Sequence, residues 1–345
     1  MTPLSNDSRL GFAVKVIGRE GLKANDARRH ASDPHLRVSL EYIDTILDYL
    51  GETDIRMYRM SSDIAPYITH PDLPRFHGQI VEAAAELRAV GAKARRMGVR
   101  LSMHPGQFIV INSPDPVLVG KSVADLQAAA EILDVMEQGP EAVLVIHVGG
   151  SYGDNRSGRD RWVKTYSCLP DSVRRRLVLE NDDIRYSAAD VLEIHERTGV
   201  PLVFDYQHFC CNNPEGLPLR ETLARFVGSW PSGVMPKIHY SSPNTNFREV
   251  DQRDRKTGKV AKATLPPVWT GHADFVNPFE FLTFLSMVDG VAPFDVMLEA
   301  KAKDIALLRF RRDLAKYAPA VAARFGASAS ANLDPDDSDE GADAE

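Results

Sequence analysis

The sequence has few cysteines and no long apolar segment. Only three of its 345 residues are cysteines, Cys168, Cys210 and Cys211, and two of them are neighbours. Adjacent cysteines rarely pair, which excludes a disulfide framework and leads us to expect a reducing, cytoplasmic location. No apolar run reaches the roughly 18 residues of a transmembrane helix. Residues 1–9 are polar and lack the apolar block of a signal peptide.

Two further signatures are missing. We find no internal repeat with a period of about 20–50 residues, which argues against a solenoid or propeller. No G-x-G-x-x-G motif follows the first apolar run, so a dinucleotide-binding site has no support.

The negative charge is concentrated at one end of the chain. The net charge is −7, and residues 327–345 hold seven acids and no Lys or Arg, which leaves a body of net charge −7 + 7 = 0. We expect this acidic tail to be disordered because it has almost no apolar content. A neutral body can still present a basic rim to nucleic acid.

What the sequence does contain is an alternation of apolar runs with amphipathic stretches. The eight apolar runs are residues 9–16, 56–60, 99–103, 142–148, 177–180, 201–206, 235–240 and 294–299. Helical spacing follows in residues 73–97, 115–137, 187–198, 217–227, 278–288 and 303–317. This order predicts an α/β fold, a single (β/α)8 TIM barrel over residues 1–320 followed by the tail; an open doubly wound sheet is the rival.

One connection is unusually long and basic. Residues 242–271 show no obvious structure and carry Arg248, Arg253, Arg255, Lys256, Lys259 and Lys262 against three acids. Loops of this length are functional or disordered. Together with Arg156, Arg159 and Arg161 after the fourth run, these cations are candidates for gripping phosphates, with ordinary solvated charge as an equal alternative.

Residues of the types that bind metals fall at the carboxyl ends of the predicted strands. In chain order they are His104, His147, Glu180, Asp205, His208, His239, His272 and Glu299, with His70 after the second strand. Barrel enzymes build their sites at this face, so residues from His70 to Glu299 should converge there. One such residue alone is more often structural, whereas so many exceed one tetrahedral ion and predict two or three.

Two pairs within this set have particular spacings. Asp205 and His208 are three apart across a strand end, and we expect them to serve different ions. Lys237 and His239 are two apart and therefore point to the same face of their strand. From the residues alone, Lys237 is read as a lysine paired with a carboxylate; among cations it would lose its proton and could take up CO₂ as a carbamate.

The strings YRMSSDIAP, LSMHPGQF, HVGGSYGD, LENDD, VFDYQHF, KIHYSSP, HADF and MLEAKAKDIALLR occur in this order. Together they resemble the UV-damage DNA endonuclease family over roughly residues 9–315. The resemblance implies a barrel related to xylose-isomerase-like endonucleases. It also implies nicking of UV-damaged double-stranded DNA immediately 5′ of photoproducts, with 3′-hydroxyl and 5′-phosphate ends, by two or three divalent cations. Manganese comes first among these cations, with Mg²⁺, Co²⁺ and Zn²⁺ as alternatives.

The resemblance also implies roles for single residues. His104 and His147 would hold one ion with Glu180 bridging. Glu180, Asp205, His239 and Glu299 would surround a second ion, and His208 and His272 would bind a third. His70, Glu180 and Lys237 would act in catalysis, with Lys237 carboxylated and among the metal ligands.

Lesion recognition is implied for three further residues. Gln107 and Phe108 would probe the lesion, where a flat ring replaces lost base stacking; Phe108 as a core residue is the alternative. Phe12 lies where relatives often have Tyr, which puts a polar contact from this position in doubt. The protein would be a monomer, associated with the nucleoid if bacterial.

Two other function classes remain open at this point. A metal-dependent sugar isomerase on the same barrel would use a similar ligand cluster. A non-catalytic lesion-binding protein would bind damaged DNA without nicking it, and Glu180→Gln would not change its behaviour.

Overall fold

Eight parallel strands close into a barrel in the computed structural model, which describes residues 8–253 and 258–326. The barrel strands are β1 (Leu10–Ala13), β2 (Met57–Met60), β3 (Arg100–Met103), β4 (Leu144–His147), β5 (Leu177–Glu180), β6 (Leu202–Asp205), β7 (Lys237–Tyr240) and β10 (Asp295–Leu298). An antiparallel hairpin, β8 (Arg248–Arg253) and β9 (Val260–Leu265), lies between the last two of them. Each predicted apolar run contains one barrel strand, which confirms the TIM-barrel fold.

Helices cover the outside of the barrel. They are α1 (Leu36–Glu52), α2 (Gln79–Glu82), α3 (Ala84–Arg96), α4 (Pro116–Val135), α5 (Asn155–Ser167), α6 (Asp171–Arg174), α7 (Ala188–Thr198), α8 (Tyr206–Cys211), α9 (Leu219–Gly228), α10 (Pro278–Met287), α11 (Lys303–Tyr317) and α12 (Pro319–Arg324). None of the described helices is both long and apolar enough to cross a bilayer.

The apolar residues form two clusters. The larger one fills the layer between strands and helices. The smaller one consists of Val143, Val145, Val178, Val203 and Trp230, contributed by β4, β5, β6 and the segment before β7. The side chains of Arg100, Lys237, His239 and Glu180 are buried on the barrel strands as well. Since buried charge is costly unless it is paired or bound to an ion, these residues mark the barrel as a functional scaffold.

Local sequence explains several element ends. Asp115 caps α4 through a hydrogen bond from Val117 N, and Ser187 forms a capping box with Asp190 at α7. Gly98 has φ of 65°, the left-handed conformation that ends the segment after α3. The predicted helix over residues 73–97 is wrong in its first part, because a 3-10 turn and the short α2 precede α3.

Two other expectations need correction. Residues 242–271 are not a structureless loop, since they contain the β8–β9 hairpin. The predicted helices also omit α1 and α5, although Asp154 accepts hydrogen bonds from Arg156 N and Ser157 N as the N-cap of α5. The acidic tail and two of the basic loop residues, Arg255 and Lys256, lie outside the described residues.

Candidate metal centre

The carboxyl ends of β3 to β7 and β10 bring most of the candidate ligands together. In the strand register, His147 lies beside Glu180 and Asp205 beside His239, and Glu299 directly follows β10. Asp205 ends β6 and also caps α8, which places His208 in the first turn of that helix. Neighbouring strands and one helix cap therefore fix where these side chains can reach.

Glu180 is at the centre of this cluster. Its Oε2 lies 3.0 Å from His104 Nε2 and 3.7 Å from His147 Nε2, and its Oε1 lies 2.9 Å from His239 Nδ1. The carboxylate is buried, with 1% of its surface exposed. Burial by itself would raise the pKa of Glu180, but the imidazoles of His239, His147 and His104 hold it well below its usual range.

Three sets of ligand atoms are close enough to share a cation. They are His104, Glu180 and His239; Glu180, Asp205 and His208; and Asp205, His239 and Glu299, each set with its atoms within 4.8 Å of one another. His147 and His272 stand beside these sets, since His272 Nε2 is 3.9 Å from Glu299 Oε2. Because Asp205 and His208 fall in one set, they can share an ion, and separate ions for them are not required.

Several buried polar atoms of the cluster have no hydrogen-bond partner among the described residues. They are Asp205 Oδ2, His239 Nε2 and His147 Nδ1. An unpaired buried acceptor is costly, and a metal ion is the partner that suits carboxylate oxygen and imidazole nitrogen. The donor set therefore fits divalent cations held by several oxygen and nitrogen ligands.

The pKa shifts of Asp205 and His239 also agree with a site that suits divalent cations. Burial raises the pKa of Asp205 to about 7 against the opposing effect of His208, and Glu180 and Glu299 raise it further. Burial lowers the pKa of His239 to about 4, so this ring is neutral and available as a ligand. The carboxylates crowd one another, and positive charge placed among them would relieve their repulsion.

Neighbouring residues orient the ligands. Asn181 accepts a hydrogen bond from Asp205 N at 2.9 Å and donates one to Asp205 O at 3.0 Å. Its backbone carbonyl oxygen lies 3.0 Å from His208 Nδ1, which fixes the orientation of the His208 ring. Arg59 on β2 forms an ion pair with Glu299. Sequence reasoning missed both, although Asn181 directly follows Glu180 and Arg59 is a charge within an apolar strand.

Lys237 is buried in the barrel below His239. Its Nζ donates to Ser102 Oγ at 3.2 Å, and no described carboxylate lies within ion-pair distance, so the expected carboxylate pairing is wrong. Burial lowers the pKa of Lys237 well below its usual value, and the charges of Arg100 and Arg59 lower it further.

The other predicted site residues lie outside the cluster. His70 is exposed, its Nδ1 accepts from Asp72 N, and among the described residues no hydrogen bond or ion pair joins it to the ligands. Phe12 as a DNA contact is wrong, because its side chain is fully buried against Tyr58 with 5.4 Å between ring centroids. Gln107 and Phe108 are exposed on the loop after β3, Phe108 by 79%, so Phe108 is not a core residue.

The arginines after β4 differ in their exposure and in their contacts within the protein. Arg159 pairs with Asp190 and Glu193, and Arg161 donates to Asn112 O. These two stabilise the structure around α5 and α7, which argues against their gripping phosphates. Arg156 is exposed and stays a candidate.

Comparison with known proteins gives one consistent family. Residues 25–326 match the family model described as UV-endonuclease UvdE. The chain is 35% identical over 263 residues to the UV DNA damage endonuclease of Bacillus pumilus (strain SAFR-032), covering 76% of this chain and 75% of that protein. It is 33% identical over 270 residues to the protein of the same name from Bacillus velezensis, covering 78% of each.

Solved structures agree with that result. A crystal structure of SacUVDE matches with a TM-score of 0.72 and 29% identity, covering 90% of this chain and 98% of the other. Endonuclease IV from Thermus thermophilus matches with a TM-score of 0.50 and 14% identity, covering 89% and 99% of the two chains. A 3-keto-D-glucoside 4-epimerase from E. coli reaches 0.51 at 12% identity, covering 90% and 98%. The last two likenesses show the fold alone.

Proposed function

This chain belongs to the UV-endonuclease UvdE family, and on that premise we propose that it nicks the DNA backbone immediately 5′ of UV photoproducts. Membership confirms the resemblance carried by the sequence motifs and makes the protein a DNA endonuclease. The finer statements are our proposal: the position of the cut, the 3′-hydroxyl and 5′-phosphate ends, and the use of two or three cations.

The ligand cluster is the observation that carries the proposal. Five histidines and three carboxylates meet at one mouth of the barrel, and three overlapping sets of them can each hold an ion. Divalent cations bound there would neutralise the scissile phosphate and activate water, the chemistry of multi-metal phosphodiester hydrolysis. Manganese is the ion we propose first because the family resemblance implies it, and the mixed imidazole and carboxylate donors are compatible with Mn²⁺ as well as with Zn²⁺.

The residues of the chain divide the remaining tasks. Glu180 belongs to two of the ligand sets, so its carboxylate would help to hold more than one cation. Asn181 orients Asp205 and His208, and Arg59 orients Glu299. The exposed Gln107 and Phe108 would fill the gap left when the damaged bases leave the stack, which costs less for a weakened lesion than for normal bases.

We also propose that Lys237 carries a carbamate. Its amine has no carboxylate within ion-pair distance among the described residues, and the positive charges of Arg100 and Arg59 that lower its pKa would stabilise an anion at this position against the weaker effect of Glu180 and Glu299. After equilibration with ¹³C-bicarbonate, a carbamate signal in the wild-type NMR spectrum that is lost in Lys237→Met supports this. A wild-type spectrum without that signal contradicts it.

Incubation of UV-irradiated supercoiled plasmid with the protein and Mn²⁺ tests the function. We expect relaxed circles from irradiated plasmid, none from unirradiated plasmid, and none with Glu180→Gln. Mapping the cut on a duplex with one photoproduct tests its position and ends. Intact irradiated plasmid after incubation with metal-loaded wild type would refute the proposal.

A further inference from the structure

The β8–β9 hairpin, called the ribbon below, is an exposed element at the same end of the barrel as the ligand cluster. It follows β7 and precedes α10, so it emerges where the strands end. None of its twelve strand residues is buried. A two-stranded ribbon on its own is marginally stable in water, which suggests that this one gains a partner during function.

The root of the ribbon is tied to the metal centre. Pro243 and His272 form an antiparallel bridge, Asn244 N donates to Gly271 O at 2.7 Å, and Ala273 N donates to Ser242 O at 2.8 Å. The side-chain amide of Gln207, on α8 beside His208, donates to Trp269 O at 2.8 Å. The base of the ribbon therefore lies beside the ligand cluster, where it could contact a molecule bound at the mouth.

The two faces of the ribbon carry different charges. From the register and the alternation of side chains, one face holds Arg248, Val250, Gln252, Ala261, Ala263 and Leu265, with no acid among the described residues. The opposite face holds Glu249, Asp251, Arg253, Val260, Lys262 and Thr264, and so both acids. On this acidic face Lys262 lies 3.7 Å from Glu249.

We propose that the ribbon seats its acid-free face in the major groove of the duplex beside the lesion. Phosphates repel carboxylates, so DNA would approach the face that has Arg248 and Gln252 and no acid. The major groove, about 12 Å wide, admits a two-stranded β-ribbon. The small side chains of Ala261 and Ala263 allow close approach, and the ring of Trp269, 61% exposed at the root of the ribbon, is available to contact the DNA.

The inference rests on the proposed function, since it takes DNA as the substrate. Binding to an undamaged duplex tests it separately from nicking, because groove contacts need neither a lesion nor catalysis. If the wild type binds undamaged duplex but nicks no irradiated plasmid, the endonuclease proposal fails while the ribbon can still be judged.

Paired variants on the two faces provide the test. Arg248→Ala and Lys262→Ala each remove one exposed cation, and Ala261→Glu and Thr264→Glu each add one carboxylate at an exposed position. By fluorescence anisotropy on an undamaged duplex of about 30 base pairs, we expect both acid-free-face variants to raise Kd about tenfold. Arg248→Ala loses a charged hydrogen bond to phosphate, and Ala261→Glu places a carboxylate against the phosphates. The two acidic-face variants should change it less than about twofold.

Salt dependence and footprinting complete the experiment. The logarithm of the association constant decreases with the logarithm of the salt concentration. The magnitude of this slope should be smaller by about 0.9 in Arg248→Ala and unchanged in Lys262→Ala. Bound wild type should protect guanine N7, which faces the major groove, from dimethyl sulfate, and Ala261→Glu should lose that protection. Equal effects on both faces, or no N7 protection by wild type, would overturn the inference.

Discussion

At the amino end of the barrel Asp295 accepts hydrogen bonds from Arg9 N at 2.7 Å and from Arg100 Nη1 at 2.8 Å. At the carboxyl end Asp205 accepts from His208 N at 2.8 Å, and its second oxygen has no partner among the described residues. Both carboxylates are fully buried. The carboxylate of Asp295 is therefore satisfied by groups of the chain itself, whereas that of Asp205 has an oxygen that is suited to an added cation.

The contrast extends to the neighbours of each carboxylate. At the amino end Arg100 also donates to Glu141 O and Met235 O, and it lies over the ring of Trp230. At the carboxyl end Glu180 and Glu299 add negative charge beside Asp205. Buried like charges are tolerated where a functional ion offsets them, so the same residue type serves stability at one end and chemistry at the other.

The largest expected effect separates the two aspartates. Asp205→Asn should lower the nicking rate by more than about 100-fold, because even residues that only orient metal ligands contribute about 10- to 100-fold. Its metal-free stability should change little, since the side-chain oxygen that caps α8 is retained. A quantitative plasmid-nicking assay and urea unfolding measure the two quantities.

Asp295→Asn is the matched control, with the opposite result. It should lower the free energy of unfolding by about 3 kcal/mol, because Arg100 keeps its buried charge and loses its carboxylate partner. Nicking per folded molecule should persist. Full activity in Asp205→Asn, or unchanged stability in Asp295→Asn, would contradict the proposed difference in role between the two ends of the barrel.

Added metal should stabilise the folded protein only by binding at the carboxyl end of the barrel. Mn²⁺ at about 100 times its Kd should raise the free energy of unfolding of the wild type by about 2.7 kcal/mol per independent site. Asp295→Asn should keep this increment and Asp205→Asn should lose most of it. Thermal unfolding with and without EDTA measures the effect, and equal stabilisation of both variants would argue for ions bound elsewhere.

A smaller effect is expected from Asn181, which orients two ligands. Asn181→Ala should weaken Mn²⁺ binding about tenfold by freeing the backbone of Asp205, while the backbone carbonyl that holds His208 is retained. Gln79→Ala is the control, because Gln79 is also buried and hydrogen-bonded to backbone, between α1 and the loop after β2. Calorimetric titration should show normal Mn²⁺ affinity for the control, and a matching loss there would deny Asn181 its specific role.

The smallest expected effect is on the discrimination between damaged and undamaged DNA, which we assign to Phe108. Phe108→Ala should reduce discrimination between damaged and undamaged duplex about tenfold, since base–ring stacking contributes about 1–3 kcal/mol. Phe108→Trp should retain it. Phe279→Ala, which removes another exposed ring from α10, should have no effect. Competition binding measures the ratio at constant metal content, and unchanged discrimination in Phe108→Ala would end the probing role.

Much of the candidate site at the carboxyl end of the barrel could be predicted from sequence, because the apolar runs show which residues stand at strand ends. Most of the ligands from His104 to Glu299 stand at or just past a barrel-strand end, and parallel strands bring such positions to one face of a barrel. His272 is the exception, since it follows the ribbon and returns to the site through its bridge to Pro243. The same logic failed for Phe12, because alternation in β1 directs its ring to the packed layer against Tyr58. It also failed for Lys237, since no pattern in a single sequence shows which polar group a buried amine will meet.

Other features depend on contacts between distant elements. The ion pair between Arg59 and Glu299 joins residues 240 positions apart. The ribbon could not be predicted from sequence because its strands are charged and exposed and lack the apolar alternation of a strand packed on a core. The pairing of Arg159 with Asp190 and Glu193 likewise depends on how α5 packs against α7.

Anomalous scattering from a crystal grown with Mn²⁺ tests the central claim most directly. We predict two or three manganese peaks at the carboxyl mouth, within bonding distance of Glu180, Asp205 and Glu299 and of the surrounding histidines, and none near Asp295. Manganese bound only outside this cluster, with Asp205 and His239 still without a partner, would contradict the account.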